Sequence, residues 1–188
     1  VAAMNWREWR DKSVDTAGTG AVGGGVARVH AMVDCVLRLV DAVEGPMPQT
    51  RFVTAKALAR GLCPVIVINK LDRPSARPDW AVDQTFDLFD RLGANDEQLD
   101  FPVVFTSAIE GWASLVSDAP GTDMEALFQT VVDHVPPPEV DAEGGLQLQV
   151  SALNYSSYVG VIGIGRVQRQ RRISAEPKTV IDRTQVMV

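Results

Sequence analysis

Residues 65–72 read Val-Ile-Val-Ile-Asn-Lys-Leu-Asp, so that an unbroken apolar run ends directly in a polar motif. Such a run predicts a strand that is covered on both faces, as in parallel sheets flanked by helices. The Asn-Lys-Leu-Asp motif then lies on a loop at the carboxyl end of that strand, where open α/β sheets bind ligands. This stretch therefore predicts an α/β fold and the position of a ligand site within it.

A similar pattern extends along the chain on both sides of this stretch. Short apolar runs are followed by stretches in which apolar residues recur every three or four positions, which is typical of a sheet with crossover helices. Thr122 and Glu125 also fit a capping box at the start of the last helix. We predict strands at residues 35–40, 64–68 and 102–106, and helices near 26–32 and at 49–60, 79–92 and 123–135.

The periodicity changes after residue 135. Three consecutive prolines at 136–138 exclude a continued helix, and the residues that follow are polar and contain glycine. Beyond them, apolar and polar residues alternate with a period of two, which predicts strands. We predict strands at 146–151, 159–167 and 179–181, and a turn at 154–157. The predicted division is a first domain at residues 1–135, a linker at 136–145 and the start of a β-barrel at 146–188.

Composition excludes several classes of protein. The 188 residues include 18 Lys and Arg against 24 Asp and Glu, which gives a formal net charge of −6. This balance disfavours binding of nucleic acid by charge alone, because such binding neutralises phosphates with basic residues. The two cysteines and two histidines provide neither a disulfide framework nor metal-ligand spacing.

The length of the apolar runs also bears on location. No run reaches the roughly 18 apolar residues of a membrane helix, so we expect a cytoplasmic protein with no membrane partner. The first residue is Val rather than Met, which fits an incomplete chain.

The Asn-Lys-Leu-Asp motif has the chemistry to bind a guanine base. The Asp72 carboxylate can accept hydrogen bonds from the N1 and N2 donors of guanine, a pair that adenine lacks. Asn69 can tie neighbouring loops, and Lys70 can lie along the base. After the next predicted strand, Ser107 is followed by Ala108, whose backbone amide can meet the guanine O6 acceptor. A solvated turn is the alternative interpretation of the motif, and its order relative to Ser107 and Ala108 favours a guanine site.

Residues 15–18 read Asp-Thr-Ala-Gly and precede a glycine-rich stretch. Asp15 can hold a water bound to Mg²⁺, and the Gly18 amide can lie near a terminal phosphate, as in P-loop enzymes. A glycine-rich turn without a ligand is the alternative. As a phosphate loop in its own right, the stretch at 18–25 has glycines where that motif requires Lys and Ser or Thr, which excludes this function.

A second nucleotide motif overlaps the same stretch. Gly18, Gly20 and Gly23 form the pattern G-x-G-x-x-G, with Asp41 at the end of the following predicted strand. That spacing is typical of dinucleotide-binding oxidoreductases. The motif needs a buried apolar strand just before its first glycine, whereas residues 10–14 are largely polar. We therefore rank this alternative below the guanine site.

Four longer stretches resemble the TypA/BipA family of ribosome-associated translational GTPases, which are related to elongation factor G. They are DAVEGPMPQTRFVT at 41–54, VINKLDRPSARPDW at 67–80, DEQLDFP at 96–102 and YVGVIGIGR at 158–166. Together with the motifs described above, they extend the resemblance from about residue 14 to about residue 182. The resemblance does not extend to residues 1–13.

The resemblance implies part of a Ras-like P-loop GTPase domain, followed by the first strands of a translation-factor β-barrel. It implies a parent protein that hydrolyses GTP on the ribosome. The family's phosphate loop lies upstream of residue 15, where this chain has only fourteen residues, so we expect that half of the domain to be absent here. The implied ligands are GTP or GDP with Mg²⁺, the Mg²⁺ held through a water on Asp15. The implied nucleotide-binding residues are Asp15, Gly18, Asn69, Lys70, Asp72, Ser107 and Ala108.

The chain departs from the family's pattern in the loop where hydrolysis occurs. Ala17 stands where the family has proline, and Thr19 stands where it has the histidine that orients the attacking water. A threonine is shorter than histidine and cannot carry the charge of an imidazole, so we expect Thr19 to be non-functional as a catalytic residue. Gly20, Ala21, Val22 and Gly25 are further departures. The alternative function is therefore a degenerate, catalytically inactive GTPase-like binding module.

A basic cluster stands out against the acidic composition. Contact with ribosomal RNA is one interpretation of it, and a solvated strand and hairpin tip is the other, because runs of charge usually face water. The cluster consists of Arg166, Arg169, Arg171 and Arg172.

Overall fold

The computed structural model describes residues 2–14, 33–137, 147–169 and 185–187. These residues form one seven-stranded mixed sheet flanked by helices and one two-stranded antiparallel sheet. The strands are β1 (Ala2–Trp6), β2 (Trp9–Val14), β3 (Cys35–Asp41), β4 (Cys63–Asn69), β5 (Val103–Ser107), β6 (Trp112–Ser114), β7 (Gln147–Ser156), β8 (Gly160–Arg169) and β9 (Gln185–Met187). The helices are α1 (Pro48–Leu58), α2 (Pro78–Arg91), α3 (Asp96–Leu99) and α4 (Glu125–His134).

The large sheet is built around β4. Its strand order is β1-β2-β9-β3-β4-β5-β6, and β3, β4 and β5 are parallel to one another. Val65, Ile66, Val67 and Ile68 are each exposed by 4% or less, so β4 is covered on both faces, as the unbroken apolar run predicts. The α/β fold class and the three predicted strands of this region are thus confirmed.

Helices cover the two faces of the parallel strands with different side chains. Ile66 and Ile68 pack in one cluster with Leu58 of α1 and Phe89 of α2. Val65, which points to the opposite face, packs with Val131 of α4 in a second cluster. The alternation of side chains along β4 therefore fixes a three-layer arrangement, and the predicted helices α1, α2 and α4 are confirmed. The helix predicted near residues 26–32 lies outside the described residues.

The start of α4 differs from the predicted capping box. The Glu125 amide donates to Oδ1 of Asp123 at 2.8 Å, and the Thr122 hydroxyl donates to the other oxygen of the same carboxylate. The prediction that Thr122 caps this helix is therefore wrong. A carboxylate is a stronger acceptor than a hydroxyl for an orphan amide at a helix start, and Asp123 is two residues away from that amide.

Four short elements of the large sheet and its edges have no counterpart in the predictions. The antiparallel pair β1–β2 forms from a polar sequence that includes residues 10–14, so a strand does precede Gly18, but its sequence is not the apolar run that the dinucleotide motif needs. Val14, at the end of β2, is buried. The other two elements that were not predicted are β6, which has three residues, and α3, a single turn with a capping box between Asn95 and Gln98.

The chain after residue 146 follows the predicted change of period only in part. β7 and β8 form an antiparallel hairpin, but its turn lies at residues 157–159 because β7 continues through Asn154 and Tyr155 to Ser156. The turn predicted at 154–157 was therefore placed too early. The strand predicted at 179–181 lies outside the described residues.

The last described strand lies away from this hairpin. β9 pairs in parallel with both β2 and β3 in the large sheet, although residues 146–188 were expected to begin a barrel. Val186 lies between β2 and β3, so its backbone has a partner strand on each side, whereas a place beside the hairpin would give it a partner on one side only. The pairing of β9 thus differs from what the predicted division would suggest for these three residues, and the domain division itself stays a prediction.

Within the described ranges, none of the helices combines the length and the apolar character needed to cross a membrane.

Candidate nucleotide site

The carboxyl ends of three parallel strands meet at one edge of the large sheet. Asp41, the last residue of β3, lies opposite Asn69, the last residue of β4, and Ile68 lies opposite Phe105 of β5. The loop at 70–72 therefore lies beside the start of the loop that follows β5. The structure thus brings together Asn69, Lys70, Asp72, Ser107 and Ala108, which the sequence predicts as one site.

Asn69 joins the two loops through its side chain. Its Oδ1 accepts a hydrogen bond from the Ala108 amide at 3.1 Å and lies 3.2 Å from the Thr106 hydroxyl. The backbone adds a further link, because the Leu71 amide donates to the Thr106 carbonyl. Asn69 therefore joins the loop at 70–72 to the loop after β5 through these hydrogen bonds. In this arrangement the Ala108 amide, the predicted donor to guanine O6, is directed at Asn69.

Asp72 is held from the same neighbouring loop. The Ser107 hydroxyl donates to Asp72 Oδ1 at 2.9 Å, and Ser107 Oγ in turn accepts from the Glu110 amide. The Asp72 side chain is 15% exposed, and its Oδ2 lies 3.7 Å from Nε of Arg73. A carboxylate offers about four acceptor positions, so Asp72 retains acceptor capacity beyond these contacts.

Lys70 and Asp41 form an ion pair at the same edge. Lys70 Nζ lies 2.5 Å from Asp41 Oδ2, and the side chains are 47% and 12% exposed. Burial acts to raise the pKa of Asp41, but hydrogen bonds from Lys70 and from the Val43 and Glu44 amides outweigh it and hold this pKa below its usual range. The hydrogen bond to Asp41 raises the pKa of Lys70. Both groups are therefore charged at neutral pH.

The turn after Asp41 is packed tightly against α2. Gly45 has φ +75°, and a Cβ atom at this position would lie 3.0 Å from the Trp80 ring. The Arg77 guanidinium lies 3.9 Å from the centre of the same ring and donates to the Val43 carbonyl. A glycine is required here because other residues rarely adopt this backbone conformation and because the ring leaves no room.

Several predicted site residues cannot be placed. Asp15, Gly18 and Thr19 lie outside the described residues, as does the glycine-rich stretch of the dinucleotide motif. In the part of the chain that the structure describes, no three His, Cys, Asp or Glu side chains come together as a metal centre. A Mg²⁺ contact through Asp15 therefore stays a prediction.

The predicted basic cluster needs a correction at Arg166. Its guanidinium lies 2.5 Å from Asp34 Oδ1, with the two side chains 15% and 14% exposed. Arg166 is therefore committed to an ion pair rather than available to RNA phosphates. Arg169 is exposed, and Arg171 and Arg172 lie outside the described residues.

Sequence reasoning assigned Asp41 only to the dinucleotide alternative and left out Thr106 as a contact. The hydrogen bonds of Asp41 to its own turn and to Lys70 depend on the register between β3 and β4, which is a tertiary feature. A partial signal was present, because Asp41 is followed three and four residues later by Glu44 and Gly45, and an Asp just before such residues is typical of a side-chain-capped turn.

Comparison with known families decides where the chain belongs. The family described as "Elongation factor Tu GTP binding domain" matches residues 1–137. The chain belongs to this GTP-binding-domain family. The match covers every residue that forms the nucleotide-site edge of the sheet.

Curated relatives confirm the resemblance to the TypA/BipA family. The chain is 56% identical over 180 residues to the large ribosomal subunit assembly factor BipA of Salmonella typhimurium, and this alignment covers 96% of the chain and 30% of the relative. It is 57% identical to the BipA protein of Escherichia coli strain K12, with the same two coverages. It is 47% identical to that of Buchnera aphidicola, with 98% and 30% covered. The chain thus spans about 30% of the length of these relatives.

Proposed function

We propose that this chain binds guanine nucleotides through residues 69–72 and 107–108, as part of a Ras-like GTPase of the TypA/BipA type that hydrolyses GTP on the ribosome. Membership of a GTP-binding-domain family supports the ligand class. The relatives are named as large ribosomal subunit assembly factors, which supports the ribosome as partner. The hairpin β7–β8 would then be the beginning of the β-barrel that follows the GTPase domain.

One observation carries the proposal at the level of chemistry. Asn69 and Asp72 are each hydrogen-bonded to the loop after β5, to the Ala108 amide and the Ser107 hydroxyl respectively. The carboxylate that would accept from guanine N1 and N2 is thereby fixed in the folded chain before a ligand arrives. A preorganised acceptor pair of this kind discriminates against adenine, because adenine would leave it unpaired.

Mg²⁺ and the phosphates belong to a different part of the proposed site. Asp15 would hold Mg²⁺ through a water, and the Gly18 amide would serve the terminal phosphate; the metal, when bound, would supply charge neutralisation for phosphoryl transfer. The described residues supply base recognition in this proposal.

Replacing Asp72 with Asn tests the assignment of the base. We expect Asp72→Asn to weaken GDP binding and to strengthen binding of xanthosine diphosphate, because the amide can donate to the xanthine oxygen where guanine has its N2 amine. The ratio of the two dissociation constants, measured by fluorescence titration, should change by at least about tenfold. Asp118→Asn changes an exposed carboxylate in the loop after β6 and is the matched control. An unchanged ratio in Asp72→Asn would refute the assignment.

A catalytically inactive binding module is the second candidate, and Thr19 in place of the family's histidine favours it. The test uses a version that carries the upstream phosphate-binding segment of a curated relative, with Thr19 or with Thr19→His. We expect the histidine to raise ribosome-stimulated phosphate release by about 10²- to 10⁴-fold, the usual contribution of a positioned acid–base group. Equal rates would show that residue 19 is not the catalytic position.

A further inference from the structure

The backbone of Lys70 adopts an uncommon conformation for a residue with a side chain. Its φ is +70°, in the left-handed region that most residues avoid. The conformation is held on both sides, because the Asn69 carbonyl accepts from the Ala42 amide and the Leu71 amide donates to the Thr106 carbonyl. The fold therefore tolerates local strain that places this one side chain, a pattern that recurs at ligand sites.

Asp41 is the group that receives this side chain. Its Oδ1 accepts from the Val43 amide at 2.8 Å and the Glu44 amide at 3.2 Å, so the carboxylate is fixed by its own turn. Its Oδ2 accepts from Lys70 Nζ. The carboxylate is the largely buried partner and the lysine is the half-exposed one. Asp41 therefore determines where the ammonium lies, rather than the reverse.

We propose that Asp41 is a positioning residue of the guanine site, which holds the Lys70 side chain along the place of the base before the nucleotide binds. This inference rests on the proposed function. A free lysine side chain loses rotamer freedom when it is ordered, and this loss opposes binding. The ion pair with Asp41 orders it during folding, so less of that cost falls on nucleotide binding.

The test is a double-mutant cycle on the full chain with GDP as the ligand. Lys70→Met keeps the length of the apolar stem and removes the ammonium. We expect Asp41→Asn to weaken GDP binding by about 5- to 20-fold in the parent chain. It should have no further effect in Lys70→Met, because Asp41 then has no ammonium to position. Glu44→Gln removes an exposed charge from the same turn that forms no hydrogen bond or ion pair with Lys70, and the weak interaction of such a charge should change the dissociation constant by less than about twofold.

A second variant separates positioning from support of the turn. Asp41→Ser keeps a side-chain oxygen that can accept from the turn amides and removes the carboxylate that receives Lys70. It should weaken GDP binding as Asp41→Asn does, with a thermal midpoint close to that of the parent. If either variant binds GDP within twofold of the parent, or weakens it equally in Lys70→Met, the proposal is overturned.

Different results would refute the proposed function and the positioning role of Asp41. Equal binding of GDP and ADP by the unaltered chain would refute guanine recognition whatever the Asp41 variants do. A clear preference for GDP that persists with unchanged affinity in Asp41→Asn and Asp41→Ser would refute the positioning role alone.

Discussion

At the scale of single residues, Ser107 acts on the site through Asp72. Its hydroxyl donates to the carboxylate and accepts from the Glu110 amide, so one small side chain connects both loops. Ser107 is fully buried, and water cannot replace these bonds without a rearrangement. The sequence suggested direct contact with the nucleotide, whereas the geometry gives Ser107 a supporting position behind Asp72.

Removing this hydroxyl should therefore affect base recognition. We expect Ser107→Ala to weaken GDP binding by about tenfold, because a hydrogen bond to a charged group contributes about 1.5–3 kcal/mol and Asp72 would no longer be held. Ser114→Ala removes a hydroxyl that also accepts a backbone amide, at the end of β6, and serves as control. Isothermal titration of both variants provides the comparison. Loss of affinity in the control as large as in Ser107→Ala would count against the proposed position of Ser107.

Much of the candidate site was predictable because its residues follow two apolar strands directly. Asn69, Lys70, Asp72 and Ala108 needed only the rule that the carboxyl ends of parallel strands meet. The role of Asp41 was not predictable in the same way. It depends on the register that sets Asp41 opposite Asn69 and on the left-handed φ of Lys70, neither of which a local pattern encodes.

At the scale of elements, β3 carries a partly buried charge, Arg38. Arg38 stands between Val36 and Val40 on the face covered by α1. Its Nε is buried and, within the described part of the chain, has no hydrogen-bond partner; the same holds for Oγ1 of Thr54 on α1. Burial lowers the pKa of Arg38 to about 10. The Arg38 guanidinium therefore has a buried N–H group whose desolvation no hydrogen bond from the described residues offsets.

Replacing Arg38 with an apolar residue should stabilise the fold. We expect Arg38→Leu to raise the free energy of unfolding by about 1–3 kcal/mol, the usual cost of a buried polar group without a partner. Urea denaturation monitored by circular dichroism measures it. Arg51→Leu changes an exposed arginine of α1 and should stay within about 0.5 kcal/mol of the parent. A loss of stability in Arg38→Leu would show that the guanidinium is satisfied in solution.

The helices and strands differ in how far their own sequence is enough to predict them. β4 and α2 were predictable because the first is continuously apolar and the second has apolar residues at helical spacing. β2 was missed because its sequence is polar and its place depends on pairing with β1 and β9. α3 carried a usable signal, since Asn95 and Gln98 have the spacing of a capping box. The pairing of β9 joins residues more than 140 positions apart and has no local signal.

At the scale of the whole molecule, one ion pair connects the hairpin β7–β8 to the large sheet. Arg166 of β8 lies against Asp34, which directly precedes β3, and both side chains are largely buried. Charge pairs of low exposure are screened less by solvent than pairs on the surface. This contact therefore ties the position of the hairpin to the strand that ends in Asp41.

A double-mutant cycle between Asp34→Asn and Arg166→Gln measures this connection. We expect a coupling free energy of about 1–3 kcal/mol in thermal or urea unfolding, as is usual for interacting residues with shared burial. The exposed pair of Arg91 and Asp87 on α2 is the matched control. Its coupling should be below about 0.5 kcal/mol, because solvent screens exposed helix pairs. Equal coupling in the two cycles would mean that the hairpin contact contributes no more than a surface pair.

The central claim is that the edge formed by residues 69–72 and 107–108 recognises guanine. Its most direct test is a titration of the isotopically labelled chain with GMP and, separately, with AMP, followed by amide NMR signals. The two ligands carry the same phosphate and ribose, so any difference between them reports the base. We predict that GMP shifts the amide signals of Asn69, Asp72 and Ala108 at concentrations at which AMP does not shift them. Equal shifts with AMP, or no shift of these signals with GMP, would contradict it.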